Sequence, residues 1–176
     1  MSKRLSIRQK QWFLIAHIVF FTAWLGGALC MFLLGLWAIM NGQKHDLAQT
    51  YTLIHLIDDT LIKFPAIGTL VTGFILSIWT HWGVTRYYWV IIKEVLTILI
   101  ILMGIFFLSD WLSEVVAIAE KHGASALGYQ EFIMRRNQLL VAGFFNILAM
   151  VSMVIISVIK PWGKRKGEHS TAPARS

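Results

Sequence analysis

Two histidines stand in apolar stretches where an imidazole is out of place. His17 lies five residues into an uncharged run that begins at Trp12, and His81 one residue before the run from Leu61 ends at Trp82. An ionisable side chain is costly inside such a run, and where one is kept it marks a relay, a pathway or a ligand site. On helices of opposite direction, the two imidazoles reach depths that differ by about 6 Å at 1.5 Å per residue, a gap that helix tilt absorbs. Two imidazoles at one depth on adjacent antiparallel helices are what a bis-histidine haem b requires, with His17 and His81 as axial ligands and the porphyrin between the helices. Its apolar edge would lie among Phe20, Phe21, Trp24 and Ile78. Its propionates would meet Arg86, Lys93 or Arg8, with Tyr87 and Tyr88 as donors. Were His81 only an interfacial hydrogen-bonding group, Met150 or Met153 would complete a histidine–methionine pair.

A second constellation is His55 with Asp58 and Asp59 at i+3 and i+4, one helical face able to hold copper or another divalent metal. His45, His122, Glu114 or Glu120 could approach it. The more ordinary expectation is that Asp58 and Asp59 pair with Lys63 or Arg135. Glu94, beside Lys93, is expected to pair with Lys93, Arg86 or a neighbouring helix rather than to transfer protons. Asn146 is expected to hydrogen-bond across helices, and Trp12, Trp37, Trp82, Trp89 and Trp162 to form an interfacial belt. No phosphate loop, nucleophile elbow or catalytic dyad is present in the sequence, which disfavours hydrolase and kinase readings.

The elements that must position these groups are four spans of roughly twenty largely uncharged residues, at about 12–40, 61–82, 87–108 and 139–159. The 57% hydrophobic content, 14% charged content and mean hydropathy of +0.65 lie outside the range of a soluble domain of 176 residues. Residues 1–176 therefore read as one all-α integral membrane domain. The basic N-terminal cluster (Lys3, Arg4, Arg8, Lys10) imitates a signal peptide, but the apolar run behind it is too long and lacks a small-residue cleavage site. The lone Cys30 gives no disulfide.

Eleven Lys and Arg against two acids fall on the side of the termini, a net +9, and the other side is −2. Both termini are then cytoplasmic. The basicity follows from topology and needs no nucleic acid, while residues 161–176 form a flexible basic tail able to meet anionic lipid.

Helical periodicity continues beyond the spans at Asp46–Leu61, Trp111–Lys121 and Tyr129–Asn137. The expected architecture is an antiparallel four-helix bundle whose helices extend past the outer face. Its turns fall at Asn41-Gly42, His122–Gly128 and Gly83–Arg86, and Pro65 kinks the second helix. Thr69, Gly73 and Ser77 make a small-residue stripe leading to His81, and His17 shares a face with Phe21, Trp24, Ala28 and Gly35.

The string His17, six residues, then Trp24-Leu25-Gly26-Gly27 resembles the first helix of copper-resistance protein D-like membrane proteins, relatives of the two-haem b-type cytochromes. Pro65–Gly73, Trp82-Gly83-Val84 and Trp89-Val90-Ile91-Ile92-Lys93 are similar to four-span bacterial proteins of that group, so the likeness covers about the first 95 residues. The resemblance implies a four-helix scaffold handling haem b or copper through an intramembrane histidine, His17 matching best. The chain departs from the two-haem pattern because His17 and His81 alone lie in or at the spans, which suffices for one site.

Two functional expectations result. One is a haem b membrane protein in electron transfer or redox sensing, working with a membrane redox partner or quinone. The alternative is a non-redox module, either a metal-handling protein using His55, Asp58 and Asp59 or a subunit that binds membrane partners, a second copy included.

Overall fold

Ser6 starts the first helix with reciprocal bonds: its hydroxyl accepts from the Gln9 N–H, and the Gln9 side chain accepts from the Ser6 N–H. Such a capping box satisfies two of the donors that every helix N-terminus leaves open. The structure, a computed structural model, describes residues 6–42, 46–79 and 84–162. His45, His81, Trp82 and most of the expected tail lie outside the described residues.

Four helices are long and apolar enough to cross a membrane: α1 (Ile7–Asn41), α2 (Leu47–Trp79), α3 (Tyr88–Gly128) and α4 (Gln130–Ile159). At 1.5 Å per residue they measure about 45–60 Å, against a hydrocarbon core of about 30 Å. The chain is a multi-pass membrane protein, and its helices extend past the span, as their periodicity predicts. Asp46 caps α2 through the Gln49 N–H, a 3-10 turn at Gly123–Gly128 closes α3, and Lys160 in the left-handed region ends α4 before Pro161.

Each helix packs against its chain neighbours, and α1 also packs against α4, closing an antiparallel ring. Ile15, Val19, Leu33, Phe106, Phe145 and Val158 are exposed on its outside, the arrangement lipid favours. Inside are two layers. Trp24, Ala66, Ile100, Met150 and Met153 form the membrane layer. Toward the end remote from the termini, Ala38, Leu47, Tyr51, Ile54, Leu112, Val115 and Phe132 form the other, with Tyr51 edge-on to Phe132 at 5.6 Å. An ion pair between Arg135 and Glu114 ties α4 to α3 at this end.

Two stretches depart from α geometry. Residues Asp58–Lys63 and Gly104–Leu108 are π-helical. The first lies directly before Pro65, whose ring clashes with the carbonyl of Leu61 in a regular α-turn; a wider turn relieves the clash. The kink expected at Pro65 is thus taken up as a local widening, and α1 meets it closely: a Cβ added at Gly27 would lie 2.8 Å from Leu61 Cβ.

Candidate functional site

His17 points from α1 into the flank of α2. Its Nδ1 lies 3.1 Å from the Thr69 carbonyl oxygen and 3.0 Å from Thr72 Oγ1. The Thr72 hydroxyl donates to the Gly68 carbonyl at 2.6 Å, and a carbonyl only accepts, so the hydrogen-bond network assigns the proton to Nδ1. Nε2 makes no hydrogen bond among the described residues.

One turn along, Gly73 leaves room for a meeting. A Cβ there would lie 3.4 Å from His17 Cε1 and 3.8 Å from Glu94 Oε1, so an imidazole from α1 and a carboxylate from α3 converge on the bare backbone of α2. Glu94 Oε1 accepts from Ser77 Oγ at 2.8 Å. Lys93, its neighbour in sequence, turns instead toward α4, donating to Ser157 Oγ at 3.0 Å and lying over the Trp89 ring at 5.4 Å. Of the pairings expected for Glu94, with Lys93, Arg86 or a neighbouring helix, the last is the one found, through Ser77 on α2, while Lys93 takes a hydroxyl on α4. Successive helix residues diverge by about 100°, which is why adjacent charges can face different helices. All four spans contribute a polar group to this layer.

The other residues singled out from sequence are dispersed. Trp24 is 3% exposed and packs with Ala66, Ile100, Met150 and Met153, while Phe21 packs against that cluster. Both serve the core where a porphyrin edge was expected. The thioether of Met153 accepts from Thr97 Oγ1 at 3.3 Å and Met150 is fully buried, so neither is poised as an axial ligand beside His17. Arg86 stands exposed in the turn before α3. Trp89 is buried between Lys93 and Lys160 rather than lying in the outer belt, whereas Trp12, Trp37 and Trp162 are exposed.

The anchoring of His17 Nδ1 on a backbone carbonyl is the support that a metal-bound imidazole usually has. The packing around it opposes haem. A Cβ at Gly68 would lie 2.6 Å from the Phe20 ring, and the Gly27 contact follows two turns on, so α1 and α2 touch on the side of His17 where Phe20, Phe21 and Trp24 were expected to border the macrocycle. That side is closed to a porphyrin edge among the described residues, and His81 lies outside them.

The His55 face is likewise closed by its neighbours. Lys63 Nζ lies 3.2 Å from Asp58 Oδ2 and 2.6 Å from Asp59 Oδ1, and His55 Nδ1 lies 3.3 Å from Asp59 Oδ2. An ammonium occupies the position a divalent cation would need, and no group of three potential ligands converges among the described residues. His122 stacks on Tyr129 and Glu114 is held by Arg135. Asn146 makes no cross-helix bond among the described residues; it borders a cavity in the bundle.

Thr72 and Ser157 went unsingled because a hydroxyl in an apolar span reads as packing. Ser77 was noted only within a small-residue stripe; its pairing with Glu94 needs the α2–α3 geometry. Comparison of the chain with protein families, curated proteins and solved structures returns no match, so the copper-resistance D-like resemblance is carried by its own residues.

Proposed function

We propose that the protein lies in the bacterial cell membrane with both termini cytoplasmic and exchanges protons at an intramembrane site formed by His17 and Glu94. The excess of Lys and Arg at the terminal end supports the orientation. The convergence of the two side chains on Gly73 carries the functional reading.

Insertion scales put a charged residue near a helix centre at about 2.5–3.5 kcal/mol. Lys93 and Glu94 together therefore cost a sizeable share of the about 5–15 kcal/mol that typically holds a domain folded. Well-packed apolar residues would stabilise the bundle as well or better, so a role in protonation accounts for them where packing does not.

With Nδ1 fixed on Thr69, Nε2 is the nitrogen that can gain or lose a proton without breaking the anchor. Ser77 holds Glu94 Oε1, leaving Oε2 as the proton-accepting oxygen. Transfer between Nε2 and Oε2 through water moves positive charge from α1 to α3 as the carboxylate becomes a neutral acid. Lys93 supplies a fixed cation beside the pair. This reading departs from both expectations drawn from the sequence, including the one that Glu94 pairs rather than transfers protons, and needs neither haem nor metal.

Infrared difference spectra of the protein in lipid nanodiscs test it. A pH step is expected to change a carboxyl band that is absent in Glu94→Gln and altered in His17→Asn. A folded protein without a pH-sensitive Glu94 band would overturn the proposal.

A further inference from the structure

A cavity of about 390 Å³ lies between the two core layers, bordered by all four helices and by both π-helical stretches. It is long. Arg136 and Met150, both on its wall, are fourteen residues apart on α4, about 21 Å along the axis. Its volume lies in the range of small-ligand cavities.

The polarity is graded. At the end remote from the termini the wall carries Tyr51 and Arg136, with the Asp58–Lys63 pair further in; at the deep end it is built of Trp24, Ile100 and Met150. Tyr51 is 2% exposed and its hydroxyl has no partner among the described residues, a deficit that normally costs about 1–3 kcal/mol. Lys63 on the wall is already matched by Asp58 and Asp59, which leaves Arg136 as the cation at that end.

We propose that this cavity binds a free fatty acid, its carboxylate at Tyr51 and Arg136 and its acyl chain running inward to Trp24 and Met150. The length, the apolar deep wall, the Arg136 guanidinium and the unpartnered phenol each match one part of that ligand. The head then lies at the end of the bundle that extends past the bilayer and the tail points toward mid-membrane, the direction a fatty acid already has in a leaflet. The site is separate from the His17–Glu94 layer and does not depend on its protonation.

Palmitate brominated near its methyl end, added to the full-length protein in phosphatidylcholine nanodiscs, tests the inference through tryptophan quenching. A saturable component is expected, lost in Trp24→Phe. Arg136→Gln combined with Tyr51→Phe should weaken binding about tenfold or more, as loss of a charge-assisted bond does. Gly143 borders the cavity, and an added Cβ there meets Phe32, itself on the wall, at 3.7 Å, so Gly143→Leu should fill the space, abolish saturable quenching and leave the fold intact. Gly143→Ala is the milder form should the larger residue prevent folding, and is expected to weaken binding in the same direction. Quenching that never saturates, that survives Gly143→Leu in folded protein, or that hexadecanol displaces as well as palmitate would overturn the proposal.

Discussion

His17 Cε1 and Glu94 Oε1 stand 3.4 and 3.8 Å from the point where a side chain on Gly73 would begin. The glycine is therefore the space the two groups share. Closing it should separate them without touching either. Gly73→Ala meets contacts at ordinary van der Waals distance and should cost little, whereas Gly73→Val intrudes between the two groups and should cost about 1–3 kcal/mol. Denaturation of both variants in detergent measures the difference, and only Gly73→Val should disconnect the infrared response of Glu94 from replacement of His17.

Ser77 and Thr72 hold the two groups unequally. Ser77→Ala leaves Glu94 Oε1 without its donor in a part-buried site and should destabilise by about 1–3 kcal/mol. Thr72→Val should cost less, about 1 kcal/mol, because the Thr69 carbonyl still anchors Nδ1. Thermal melts of the two variants check the order; a larger loss in Thr72→Val would put the anchor on the hydroxyl.

Among the described residues, α1 and α2 pack closely at Phe20–Gly68 and Gly27–Leu61, where the macrocycle's apolar edge was expected. Protein purified from haem-replete cells is expected to show no stoichiometric Soret absorbance, and His17→Ala should leave its visible spectrum unchanged. A reducible Soret band lost in His17→Ala would restore the cytochrome reading and displace the proton-exchange one.

At the far end, Lys63 neutralises two carboxylates at once. Manganese or zinc should not raise the melting temperature of the native chain, and Lys63→Gln, which frees Asp58 and Asp59, should introduce such a dependence. Metal stabilisation of the unaltered protein would instead favour the His55, Asp58 and Asp59 site.

The four spans were legible because length and hydropathy act locally: a run of some twenty apolar residues has few alternatives to a bilayer. Continuation of the helices past it was legible from the spacing of Leu47, Tyr51 and Ile54, all now in the core of that end. His17 stood out as an ionisable group in an apolar run. Its partners did not, since Thr69 and Thr72 are 52 and 55 residues away and read as packing hydroxyls. Depth alone suggested His81 as the mate of His17; azimuth, which only the packed bundle supplies, turns His17 toward Gly73 and Glu94. The π-helical turn at Asp58–Lys63 was foreshadowed by Pro65, the one at Gly104 by nothing in the pattern. The cavity is a property of four helices together and has no signature in any one of them.

The most direct test is the titration of His17 followed by nitrogen NMR of its imidazole in lipid nanodiscs. Nδ1 is expected to keep its proton throughout while Nε2 gains one as pH falls, in a curve whose shape changes in Glu94→Gln because the two sites titrate as a pair. An imidazole whose protonation ignores pH, or whose curve is the same with and without the Glu94 carboxylate, would contradict the proton-exchange site.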